Sequence, residues 1–155
     1  MEAGRPSLER DQGGSRRAGP RCGKTGSKAA MPAPTGPVLV VDDDEAVRRS
    51  LKFALELEGL DVRLYEDAGH LLGEAGLPRT GCLVVDYLMP GMDGVELVGR
   101  LRARRVGLPA ILVTGRLTEE LRHRAAHAGF RQVVEKPFED GSLLAGIHDA
   151  LAASA

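Results

Sequence analysis

Cys82-Leu83-Val84-Val85-Asp86-Tyr87-Leu88-Met89-Pro90-Gly91-Met92-Asp93-Gly94 decides the fold. Four unbroken apolar residues stop on an acid, a Pro/Gly/Asp turn follows, and an amphipathic run opens at Gly94. An apolar run this short, without alternation, reads as a strand covered on both faces. The pattern recurs on either side. Val38–Val41 is followed by Asp42-Asp43-Asp44-Glu45, residues 109–113 end at Thr114, and residues 131–135 end at Lys136. Residues 61–64 form a shorter strand, with Val62 and Leu64 alternating and nothing chemical at its end. Between the strands lie helical patterns. The first carries Val47, Leu51, Ala54, Leu55 and Leu57 on one face and stops at Gly59. The second, over 67–75, is weakened by Gly69 and Gly73. The third runs from Gly94 to Arg104, the fourth from a Thr118 cap to His127, and the last from Glu139 to Ala152. Five strands alternating with five helices predict an α/β fold, a doubly wound parallel sheet with helices on both faces.

The chain has 155 residues, with 43% apolar and 28% charged, and so suits a single soluble domain. No apolar run reaches the roughly 20 residues that cross a bilayer, and no signal-peptide pattern opens the chain. Two cysteines, Cys22 and Cys82, give neither a disulfide framework nor zinc-ligand spacing. A cytoplasmic location without membrane contact is the expectation. The net charge of −1 hides an asymmetry. Residues 1–36 hold seven basic side chains against three acidic ones, a balance of +4 that leaves −5 for residues 37–155. The first segment is rich in Gly, Pro and Ser and poor in aliphatic residues, so it reads as a disordered basic tail, and Met31 offers an alternative start just before the pattern begins. Gly23-Lys24-Thr25 resembles the end of a phosphate loop, but Ala18 stands where the first glycine belongs and no strand precedes it.

Right-handed crossovers set all the strand C-termini along one edge, where ligand chemistry sits in such folds. That edge collects Asp42, Asp43, Asp86, Thr114 and Lys136. Carboxylates gathered so closely repel and call for a cation. Oxygen ligands on a small rigid edge suit Mg²⁺. Lys136 offers a point charge for a phosphoryl oxygen, Thr114 a hydroxyl, and Asp86 an oxygen nucleophile able to form an acyl phosphate. Taken singly, each residue has a plainer reading. The acidic run can cap a helix, Asp86 can belong to a turn like Asp93, Thr114 can end a strand, and Lys136 can be solvated. Asp44 and Glu45 fit the cap. The four histidines, at 70, 123, 127 and 148, read as solvent-facing, and Cys82 as a small buried apolar residue.

VLVVDDDEAVRRSL (38–51), VVDYLMPGMDG (84–94), ILVTG (111–115) and VEKPFED (134–140), in that order, make the chain after the tail, residues 37–155, resemble the receiver domain of two-component response regulators. The last two stretches look most like the nitrogen-fixation type, which usually carries a DNA-binding helix-turn-helix domain. The resemblance implies a flavodoxin-like sheet of order 2-1-3-4-5. It implies Asp86 as phospho-acceptor, Asp43 as a direct Mg²⁺ ligand, Asp42 acting mostly through water, and the Leu88 carbonyl as the third protein ligand. It implies Thr114 as the switch hydroxyl, Lys136 as the phosphoryl contact, and a cis Lys136-Pro137 bond. The partners implied are a sensor histidine kinase or phosphotransfer protein and a downstream protein target. The face of helix 4, strand 5 and helix 5 is a common pairing surface of such proteins and admits a homodimer.

Two departures qualify the resemblance. Val133 occupies a strand-5 position where the family usually has Tyr or Phe, so output is expected through the loop 115–117 and the helix after it. Leu88, two residues past Asp86, cannot place a hydrolytic water, so a long-lived phosphoryl group is expected. A phosphatase using Asp86 as nucleophile is the alternative enzyme, but it wants a second acid where Leu88 stands. A phosphate-independent interaction module is the other alternative. With the chain closing at Ala155 near the last predicted helix and the ordered part acidic, direct nucleic-acid binding is not expected. The expectation is a stand-alone receiver or a piece of a longer protein.

Overall fold

The computed structural model describes residues 36–138 and 141–154. The basic tail expected over 1–36 lies outside them except for Gly36, and so does the expected helix start at Glu139. Five strands occur: β1 (Val38–Val41), β2 (Val62–Tyr65), β3 (Cys82–Asp86), β4 (Ala110–Thr114) and β5 (Gln132–Glu135). The helices are α1 (Glu45–Leu57), α2 (Ala68–Leu72), α3 (Gly94–Ala103), α4 (Glu119–His127) and α5 (Ser142–Ser154). All strand pairs are parallel, and the order is β2-β1-β3-β4-β5, as the resemblance implied.

Strand alternation divides the core into two layers. Leu39, Val41, Leu83, Val85, Ala110 and Leu112 face α2, α3 and α4. Val38, Val40, Cys82, Val84, Ile111 and Val113 face α1 and α5, which contribute Leu51, Leu55, Leu143, Ile147 and Leu151. Every residue of β1, β3 and β4 is buried, which is why these strands read as unbroken apolar runs. Cys82 is one of them, and burial pushes its thiol up to about 12.

Asp44 and Thr118 cap their helices as expected, and Asp67 and Asp93, the latter read as a turn residue, are caps too. Asp44, Asp67, Asp93 and Thr118 each accept backbone N–H groups at a helix start, and Asp93 with Glu96 forms a full capping box. Three details differ from expectation. On α1, Leu51 and Leu55 are buried, but Ala54 and Leu57 are exposed. At about 100° per residue Leu57 lies about a third of a turn from Leu51, outside the stripe that meets the sheet. β2 extends to Tyr65, whose ring is buried and whose hydroxyl donates to Glu74 at 2.8 Å. Helix α2 is only five residues long, because Gly73 caps it.

Gly94 packs its backbone against the end of β3. A Cβ there would stand 2.6 Å from the Asp86 carbonyl oxygen and 2.9 Å from side-chain carbons of Val85 and Leu112. Gly99, on the same helix, has open space around it. Gly94→Ala is therefore expected to lower stability by about 1–3 kcal/mol through overpacking. Gly99→Ala is expected to raise it by about 0.5–1 kcal/mol through helix propensity. Urea denaturation of the two variants checks the contrast.

Candidate functional site

Register brings the strand ends level. Val41 pairs with Val85, so Asp42 and Asp86 follow at neighbouring strand ends, and Thr114 pairs with Glu135, so Lys136 follows beside it. The order reverses between β1 and β3, so their crossovers leave on opposite faces and open a crevice over these two ends. The buried polar or charged side chains of the described residues are Asp42 (3% exposed), Asp86 (6%) and Thr114 (2%). All three lie in this crevice at strand ends.

Lys136 Nζ donates to Asp42 Oδ2 at 3.1 Å and stands 3.4 Å from Asp86 Oδ1. Asp42 Oδ1 accepts the Asp44 N–H at 2.9 Å. Asp43 is exposed beside them, and Asp42, Asp43 and Asp86 each offer an oxygen within 4.8 Å of the others. Among the described residues this is the one group of three such side chains close enough to share an ion. Burial raises Asp86 to about 6, Asp42 and Asp43 add to the rise, and Lys136 opposes it. Burial alone would lower the Lys136 ammonium, but Asp42 and Asp86 outweigh it and hold the group above its ordinary value. Three carboxylates around one ammonium leave a charge deficit that a divalent cation fits, and all the donors are oxygen. The Lys136-Pro137 peptide is cis.

Thr114 is placed differently. Its hydroxyl donates to the Arg116 carbonyl at 3.1 Å and accepts the Arg116 N–H at 3.2 Å, so it closes a local turn. Leu88 projects its side chain into solvent, 69% exposed. Three contacts escaped the sequence reading. Arg48 donates to the Asp42 carbonyl at 2.6 Å, the Leu117 N–H donates to the Glu135 carboxylate at 3.1 Å, and Arg124 donates to the Tyr87 hydroxyl at 2.6 Å. Arg48 lies one helical turn past the Asp44 cap, and that spacing is the only sequence signal for it. The other two join distant segments and leave no local signal.

The raised Asp86 has a direct consequence. A folded pKa near 6, above the ordinary 3.8, makes this group's contribution to folding most favourable below about pH 4. The contribution is lost as pH rises through about 6. Asp86→Asn removes the buried charge, so the metal-free variant is expected to melt above wild type at pH 7, with the gap closing toward pH 4. Thermal unfolding across that range measures it, and an equal gap at both ends would contradict the burial argument.

A family model described as the response regulator receiver domain matches residues 38–148. The transcriptional regulatory protein FixJ of Azorhizobium caulinodans is 42% identical over 120 residues, which is 77% of this chain. The chain spans only 56% of that relative's length. Among solved structures, the crystal structure of FixJ-N is 38% identical with a TM-score of 0.69, covering 75% of this chain and 93% of that one. TrrA of Thermotoga maritima, solved in complex with Mg²⁺-BeF, is 26% identical with a TM-score of 0.63, covering 76% and 99%. The matched residues run from β1 into α5 and enclose the whole acidic crevice, and the chain therefore belongs to the response regulator receiver domain family.

Proposed function

We propose that residues 37–155 form a phospho-accepting receiver and that Asp86 is its acceptor. The donor is the phosphorylated histidine of a sensor kinase or phosphotransfer protein. An Asp86 carboxylate oxygen forms the new O–P bond as the P–N bond to the donor histidine breaks, and the electron pair returns to the imidazole nitrogen. The observation that carries this reading is the buried Asp86 carboxylate at a strand end, between a lysine and two further acids.

Asp43, Asp86 and the Leu88 carbonyl would hold Mg²⁺, with Asp42 acting through water. Both Asp42 oxygens already accept a hydrogen bond, whereas Asp43 faces solvent, which supports this division. When bound, Mg²⁺ supplies positive charge to the phosphoryl oxygens and draws Asp86 into its reactive ionised form. That TrrA was solved in complex with Mg²⁺-BeF supports Mg²⁺ as the ion here. Lys136 already sits against Asp86 and neutralises a phosphoryl oxygen without rearrangement. Thr114 must leave Arg116 before its hydroxyl can donate to the phosphoryl group, so capture and loop movement are linked.

Output then passes to a protein partner. Leu88 stands two residues past Asp86, where a hydrolase of this kind would carry its second acid, so we read the domain as a signalling module and not a hydrolase. The acidic balance of residues 37–155 supports the reading that this segment does not itself contact nucleic acid. A cytoplasmic setting accords with this, and no helix among the described residues is long and apolar enough to cross a membrane.

Incubation with Mg²⁺ and acetyl phosphate followed by mass measurement tests the reading. Wild type is expected to gain one phosphoryl group and Asp86→Asn none. Steady hydrolysis of assorted phosphoesters would favour an enzyme instead. Leu88→Asn introduces a polar side chain able to hold water near phosphorus. The decay of its phosphoryl group is expected to be several-fold faster than wild type, as followed by mass over time, and an unchanged lifetime would overturn the role given to Leu88.

A further inference from the structure

Helix α4 has little apolar anchorage, since Leu121 and Ala125 are its buried residues. A groove lined by Val95 of α3 and by Glu120, His123 and His127 of α4 runs between the two helices. Across that groove Arg124 makes the polar connection. Its Nη1 donates to the Tyr87 hydroxyl at 2.6 Å, and its Nη2 lies 3.6 Å from Asp93 Oδ2, on the residue that caps α3. The guanidinium carbon lies 5.7 Å from the Tyr87 ring centre.

Tyr87 is the chain neighbour of Asp86. Its N–H donates to the Val113 carbonyl at 2.8 Å, and its carbonyl accepts the Gly94 N–H at 2.9 Å. The backbone is thus pinned on both sides, and the side chain is the part that reaches α4. The Tyr87 ring packs against the same apolar layer as Val133. An aromatic absent from β5 is therefore supplied to that layer by the loop that begins at Asp86.

We infer that the Tyr87–Arg124–Asp93 contact is a tether that passes the state of the Asp86 pocket to α4, with Arg124 as its positioning residue. It rests on the proposed phosphoryl transfer. A group added to Asp86 crowds the Tyr87 side chain while its backbone stays pinned, and the hydrogen bond that the Tyr87 hydroxyl accepts from Arg124 tolerates only a few tenths of an ångström before failing. An exposed ion pair contributes little alone. The charge-assisted bond to the Tyr87 hydroxyl, itself exposed, adds to it, and α4 buries only Leu121 and Ala125. Phosphorylation releases the tether and loosens α4.

The full chain with Mg²⁺ and acetyl phosphate tests this, with mass reading phosphoryl capture and amide exchange reading Glu119–His127. In wild type, phosphorylation is expected to speed α4 exchange on the order of five-fold. Tyr87→Phe keeps the ring and removes the accepting oxygen, and Arg124→Ala removes the donor. Each variant still takes one phosphoryl group, exchanges fast without it, responds no further, and matches the double variant. A faster baseline that keeps the wild-type phosphoryl response marks a structural contact only and overturns the tether, as does an unchanged baseline. If wild type captures no phosphoryl group, the mass reading shows that the proposed function has failed, and the tether falls with it, because no change at Asp86 is left for α4 to read.

Discussion

Two carboxylates buried side by side, Asp42 and Asp86, share one ammonium at the edge of the sheet. Burial of a charge is costly unless a partner compensates it, and Lys136 compensates only in part. The raised Asp86 is the visible sign of that deficit. A fold that keeps such a cluster holds it ready for added positive charge. The cluster keeps more negative charge than its one ammonium offsets, and the proposed metal and phosphoryl chemistry draws on that imbalance.

The sheet makes this cluster unavoidable. With β1 and β3 adjacent and their crossovers diverging, no helix covers the two strand ends, so polar groups there meet a crevice and not a core. Just below it every residue of both strands is buried, which fixes the backbone that carries the acids. Gly94 lets α3 close against Asp86 from the other side. Asp42 and Asp86 are therefore held at fixed strand ends, whereas α4 is anchored by Leu121, Ala125 and the polar contacts of Arg124.

Much of this was legible in the residues. The unbroken apolar runs announced buried parallel strands, and Asp44 and Thr118 announced helix starts that the structure retains, whereas Asp93, which reads as a turn residue, proves to be a cap. Asp42, Asp43, Asp86 and Lys136 stood at strand ends in the sequence and stand together in space. Other features could not be read. Ala54 and Leu57 share the apolar chemistry of Leu51, and only the line along which α1 meets the sheet exposes them. Tyr65 looked like a residue past the end of a strand, but it is a buried part of the core.

The chain order of residues determined the elements, the strand order through family resemblance, and the chemical types gathered at one edge. These rest on local periodicity and on what each strand ends with, both written in neighbouring residues. Tertiary structure alone decided which donor meets which acceptor. The Thr114 hydroxyl turns to Arg116, Glu135 holds Leu117, and Arg124 reaches Tyr87 across 37 positions of chain. Such pairings depend on where folded elements come to rest, and a hydrogen bond is decided within a few tenths of an ångström, far finer than any sequence pattern specifies.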